Sequence, residues 1–194
     1  MVKALSLLML ALITVGCAQT YQTFDPPPLD FTSRPPLLLR VDQVRIQSTA
    51  GATTAAGPEA AVPVAPEQAV REMLEYRLRA AGGVGLVQAT ILEASVAERP
   101  LEPEGGLRGY VVEEPVAELL GRLKVRLERL DERGEPVGSL STAVTRTAAI
   151  PESATFVRRQ EIAYELVRDL VNDLDVGLIS NLQQSFPTLI APSV

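Results

Sequence analysis

The sequence predicts a two-layer α+β domain, a mostly antiparallel four-stranded sheet with two helices on one face, in the order β-α-β-β-β-α. Three observations predict it. Leu119, Gly121, Leu123, Val125 and Leu127 alternate with Glu118, Arg122, Lys124, Arg126 and Glu128, the period of a strand with one face buried and one wet. Asp131-Glu132-Arg133-Gly134 follows, with Asp first and Gly last as in a type I turn, so the next strand returns antiparallel. Two stretches repeat apolar residues every three or four positions, the stripe of a helix lying on a core.

The N-terminal residues come before this pattern. Lys3 precedes an apolar run from Ala4 to Val15, broken only by Ser6 and Thr14. As a helix it spans about 18 Å, against about 30 Å for the hydrocarbon core of a bilayer. It therefore reads as a secretory signal, residues 1–16. Ile13-Thr14-Val15-Gly16-Cys17 resembles the lipobox of bacterial lipoproteins, with Thr14 in place of the preferred Leu. The resemblance implies cleavage after Gly16, lipid on Cys17, and a periplasmic domain held at a membrane. Ala18, where an Asp would resemble an inner-membrane retention signal, leans the expectation towards the outer membrane.

Residues 17–36 read as a lipidated cysteine and a Pro-rich tether. Pro26-Pro27-Pro28 and Pro35-Pro36 favour an extended path, which would let residues 18–36 reach about 60 Å. Tyr21, Phe24, Leu29 and Phe31 are apolar for a spacer; they either pack on the domain or a partner, or lie near the membrane surface.

The domain is expected over 37–186. Leu37, Leu39 and Val41, then Val44 and Ile46, change parity, which suggests one strand with a bulge near Asp42-Gln43. Residues 48–66, rich in Ala, Thr, Gly and Pro, read as a mobile loop. Pro66 opens a helix carrying Val70, Met73, Leu74, Leu78 and Ala81, which Gly82-Gly83 stop. Leu86 to Val96 reads as a strand, with Val87, Ala89 and Ile91 on one parity and Leu92, Ala94 and Val96 on the other. Residues 98–115 form an acidic loop, the clear strand follows over 119–130, and Val137 to Thr147 pairs with it. Ser153 caps a long helix from about Ala154 to Gln184. Its apolar band is Ala163, Leu166, Val167, Leu170, Val171, Leu174, Leu178 and Leu182; Gly177 is a candidate bend, and Pro187 ends it. Residues 187–194 remain as a tail.

Composition narrows the chemistry. The 194 residues carry a formal charge of −6 and no histidine, and Cys17 is the single cysteine. An acidic chain lacks the electrostatic footprint of a nucleic-acid binder. Nucleophilic catalysis needs an activated Ser, Cys or Thr beside a base, and neither a histidine nor a GxSxG elbow is present. Zinc needs Cys and His ligands. Gly82-Gly83-Val84-Gly85 follows a helix instead of a strand, against a nucleotide loop. The expectation is a non-enzymatic protein with no cofactor beyond the covalent lipid on Cys17.

Two clusters are candidate contacts. Glu98, Glu102, Glu104, Glu113, Glu114 and Glu118 crowd the acidic loop, opposed by Arg99 and Arg108. They read as a solvated loop, a contact for a basic partner, or a weak carboxylate or metal site. Arg158 and Arg159 stand near a helix start, where the dipole disfavours positive charge. They either pair with neighbouring acids or bind an anionic lipid head group or partner carboxylate.

The element order of 37–184 resembles the small envelope lipoproteins that serve multi-protein transporters, among them the lipopolysaccharide-assembly lipoprotein and the auxiliary lipoproteins of lipid-transporting ABC systems. The residues are Arg71 to Gly83 (REMLEYRLRAAGG), Leu119 to Leu130 (LLGRLKVRLERL), and Arg158-Arg159-Gln160-Glu161 at the final helix. The resemblance implies an accessory subunit of a transport or assembly complex. A lipid- or amphiphile-binding module, with its groove between helices and sheet, is the alternative; a hydrolase using acidic residues is a third.

Overall fold

The computed structural model describes residues 24–51, 62–101 and 115–191. In order they form β1 (Leu37–Leu39), β2 (Gln43–Ser48), α1 (Pro66–Arg77), β3 (Leu78–Ala80), β4 (Leu86–Pro100), β5 (Pro115–Leu130), β6 (Pro136–Pro151) and α2 (Phe156–Ser185), followed by a 3-10 turn at Pro187–Leu189. Among the described residues there are two helices and a four-stranded sheet, as expected. The sheet is mixed, and a second, two-stranded sheet accompanies it.

The large sheet has the order β2-β4-β5-β6. β4, β5 and β6 are antiparallel, but β2 pairs with β4 in parallel, Val44 opposite Val87 and Ile46 opposite Ala89. The parallel pair corrects the mostly antiparallel expectation, and its cause is connectivity. A helix laid back across a sheet face returns the chain to the end where it started, so the next strand runs parallel. α1 is such a crossover, and it imposes the same direction on β1 and β3, where Leu37 faces Leu78 and Leu39 faces Ala80.

This small sheet also replaces the expected bulge. Buried Leu39 ends β1, buried Val41 sits in the bend that follows, and Val44 and Ile46 belong to the other sheet. The parity change therefore marks a change of sheet. Likewise α1 ends at Arg77 and not at the glycines, because Leu78 begins to pair with β1. Gly85, at φ +83°, immediately precedes β4, at a point where a Cβ would strike the Leu130 carbonyl. The parity switch in β4 has the other cause: a bulge between Ile91 and Glu93 turns Ala94 and Val96 inward after Val87, Ala89 and Ile91.

β5 and β6 run further than their alternation indicated, closing at Pro115 opposite Pro151. Their turn forms at Asp131, where the Gly134 N–H reaches the Asp131 carbonyl at 3.1 Å and Asp131 Oδ1 accepts from the N–H groups of Arg133 and Glu135. Thr155, not Ser153, caps α2: its hydroxyl accepts from the Arg158 N–H at 3.3 Å. α2 then runs unbroken through Gly177 for 30 residues, about 45 Å. Residues 187–191 return along β1. The Arg40 N–H donates to the Leu189 carbonyl, the Ala191 N–H to that of Leu38, and Leu189 is buried.

Both helices cover one face of the large sheet. The layer between them is filled by Leu119, Leu123 and Val125 from β5, Leu170, Leu174 and Leu178 from α2, and Val70, Met73 and Leu74 from α1, all essentially inaccessible. Gly121 lies directly under Leu170, where any Cβ would collide with its methyl. The opposite face is uncovered, and Arg122, Lys124 and Arg126 stand exposed along it.

Candidate functional site

Residues 24–34, which precede β1, are strapped along α2. The Phe24 N–H donates to Gln160 Oε1 at 3.2 Å, and its ring meets Tyr164 edge-on with centroids 5.7 Å apart. Leu29 and Phe31 pack against the core. Arg34 then fastens the other end, donating from Nη1 to Asp175 at 2.8 Å and from Nη2 to Asn172 at 2.7 Å. Local chemistry prepares this path. The prolines have few conformations to lose on docking, and Asp30 closes a turn by accepting from the Thr32 hydroxyl and N–H at 2.6 and 2.8 Å. Those two bonds, the hydroxyl first, hold the Asp30 carboxyl below its ordinary range.

Asp175 serves two partners at once. Besides Arg34, it accepts at 2.8 Å from Arg77 Nε, in the last turn of α1. Asp175 and Arg77 are each only 5% exposed, and Arg77 Nη1 has no hydrogen-bond partner among the described residues. Charge in such a place is tolerated only when paired. One carboxylate thus joins α1, α2 and the strap. The sequence carried a signal for it: Asp175 follows Leu174 and stands four positions from Val171, inside the apolar band of α2.

Between strap and helix lies an open cleft of about 320 Å³, lined among others by Pro27, Pro28, Phe31, Tyr164, Arg168 and Asn172. Its walls mix apolar rings with paired charges. Arg168 is engaged by Asp169, which with Asp173 also holds Arg146 from β6; the Asp173 carboxylate raises the Arg146 pKa above its ordinary value. The arrangement fixes a segment on a helix.

The residues singled out from sequence fall in different places. Cys17, Glu102, Glu104, Glu113 and Glu114 lie outside the described residues. Arg158 donates to Glu161 at 2.9 Å, which raises its pKa. Arg159 is half-buried and reaches Glu98 at 3.3 Å, tying the first turn of α2 to the end of β4. Glu118 bonds Arg99, which together with the Thr147 hydroxyl lowers the carboxyl's pKa. Among the described residues, no helix is long and apolar enough to cross a membrane, and no group of three or more potential metal ligands comes together.

No protein-family model and no curated protein matches the chain. Among solved structures it is similar to a minor lipoprotein from Acinetobacter baumannii, with TM-score 0.44 and 15% identity over 80% of this chain and 99% of that one. It is also similar to the rare lipoprotein B from Shewanella oneidensis, with TM-score 0.42 and 14% identity over 76% and 98%. An uncharacterized lipoprotein B from Nitrosomonas europaea gives 0.43 and 18% over 80% and 97%.

Proposed function

We propose that the chain is a lipid-anchored envelope protein, held by acyl chains on Cys17 at the periplasmic face of the outer membrane. There it acts as a non-enzymatic accessory subunit of a transport or assembly complex. The observation that carries this reading is the run Lys3 to Cys17, an apolar signal too short to span that ends in a small residue and a cysteine. Two or more acyl chains make such an anchor stable, each buried methylene contributing about 0.8 kcal/mol. The strap supports it mechanically, because Phe24 to Arg34 transmit the position of the anchor to a rigid body. The composition supports a non-catalytic role: the chain has no histidine, and acylation would consume its one cysteine, which removes the commonest general base and the most nucleophilic side chain.

The test is purification of the full, lipidated chain from its own membrane in mild detergent. A stoichiometric envelope complex that survives gel filtration, and loses function when the gene is deleted, is the expected result. A chain that runs as a clean monomer under all mild conditions contradicts the accessory role.

A further inference from the structure

The strap shortens the tether, and from its length we infer which end of the body meets the bilayer: the pole formed by the start of α2 and the end of β4 rests on the phospholipid surface. The inference builds on the lipid anchor at Cys17 proposed above. Once Phe24 is docked on Gln160 and Tyr164, only residues 17–23 separate the lipid from the body. Fully extended they span about 25 Å, not the 60 Å of an undocked tether.

That length decides between the two ends of the domain. Gln160 lies one turn from Phe156, about 6 Å along the helix axis. The far end of α2, at Ser185, lies about 38 Å from Gln160 at 1.5 Å per residue. If the far pole, with the β5–β6 turn and exposed Val137, touched the bilayer, Phe24 would stand higher than seven residues reach. The near pole is within reach, and its side chains suit an interface. Phe156 is 44% exposed and Leu101 39%; Arg99 and Arg158, each two positions away in sequence, are more than half exposed and paired with Glu118 and Glu161. The Arg159–Glu98 pair holds the two elements together. With Arg99 and Arg158 already paired, contact rests on the apolar side chains and a zwitterionic surface suffices. The uncovered sheet face, with Arg122, Lys124 and Arg126, gains nothing on such a surface.

Acylation of Cys17 consumes the single thiol, so one introduced cysteine can be labelled alone. Phe156→Cys, Leu101→Cys, Val137→Cys and Lys124→Cys, all at exposed positions, are made in the full lipidated chain. Each carries a nitroxide, and the chain is reconstituted into phosphatidylcholine vesicles. Accessibility to a water-soluble nickel chelate should be several-fold lower at 156 and 101 than at 137 and 124. Equal accessibility at all four positions in a lipidated, vesicle-bound chain overturns the inference and leaves the anchor standing. Shielding at 124 instead overturns it in favour of the sheet face. A chain whose mass shows no acyl group, and which does not float with vesicles, removes the anchor and this inference with it.

Discussion

Replacing Asp175 with alanine is the sharpest perturbation of the body, because it strands a guanidinium that has nowhere to go. Arg77 donates Nε to Asp175 at 2.8 Å with its side chain 6% exposed, and its Nη1 already has no partner among the described residues. Breaking a buried pair by removing one partner costs about 3–5 kcal/mol, mostly the desolvation of the charge left behind. The same change frees Arg34, but that side chain is 37% exposed, and pairs open to solvent contribute about 1 kcal/mol or less. The carboxylate therefore matters chiefly through Arg77. Against a typical total of about 5–15 kcal/mol, the loss should lower the thermal midpoint by about 10 °C. The assay is urea and thermal unfolding, followed by circular dichroism, of the chain from residue 17 with Ser in place of Cys17. Arg34→Ala should cost about 1 kcal/mol or less. The paired change Arg77→Met with Asp175→Leu should recover most of the loss, since an apolar pair of similar volume carries no desolvation penalty. If Asp175→Ala cost less than about 1 kcal/mol, or Arg34→Ala cost as much, the assigned division between core and strap would be refuted.

Further outcomes follow from the same geometry. Gly121→Ala drives a methyl into Leu170 and should destabilise the chain by about 1–3 kcal/mol in urea titration, as overpacking does. Gly85→Ala should cost more than Gly82→Ala, although both have positive φ: a Cβ at 85 meets the Leu130 carbonyl, whereas at 82 it meets open space. The Gly82 change should stay near the 1–2 kcal/mol of left-handed strain alone. Leu174→Ala, at a position with no exposure, should lose about 3–5 kcal/mol through the cavity it opens. Glu118 has a depressed folded-state pKa, through Arg99 first and Thr147 next. Its contribution is therefore complete above the ordinary value of 4.5 and is lost as pH falls through the folded-state value. The urea midpoints of wild type and Glu118→Gln should differ by a constant amount above pH 4.5 and converge below it; divergence on acidification would reverse the assigned sign.

Local periodicity in the sequence disclosed most of the elements but little of how they join. The alternation in 118–128 located β5, and the apolar stripes located both helices, because each pattern is written within one element. The mixed sheet depended on where α1 returns the chain, a relation between distant segments. The parity change after Val41 and the one after Ile91 look alike as text. The first marks a change of sheet and the second a bulge, and only the strand partners distinguish them. The strap shows the same limit. Pro-rich composition reads as a spacer, while Phe24, Leu29, Phe31 and Arg34 bind it to α2. Its apolar residues held the clue, but their partner Tyr164 and the lock Asp175 lie more than a hundred residues away.

In the proposed function, lipid at residue 17 holds this body against a membrane. Intact-mass analysis of the mature chain from membranes tests it most directly, with a Cys17→Ser control. The expected result is a chain beginning at residue 17 that carries a diacylglyceryl group and a further acyl chain, and a control released from the membrane fraction. A mature chain with an unmodified thiol, fractionating as the control does, would contradict it.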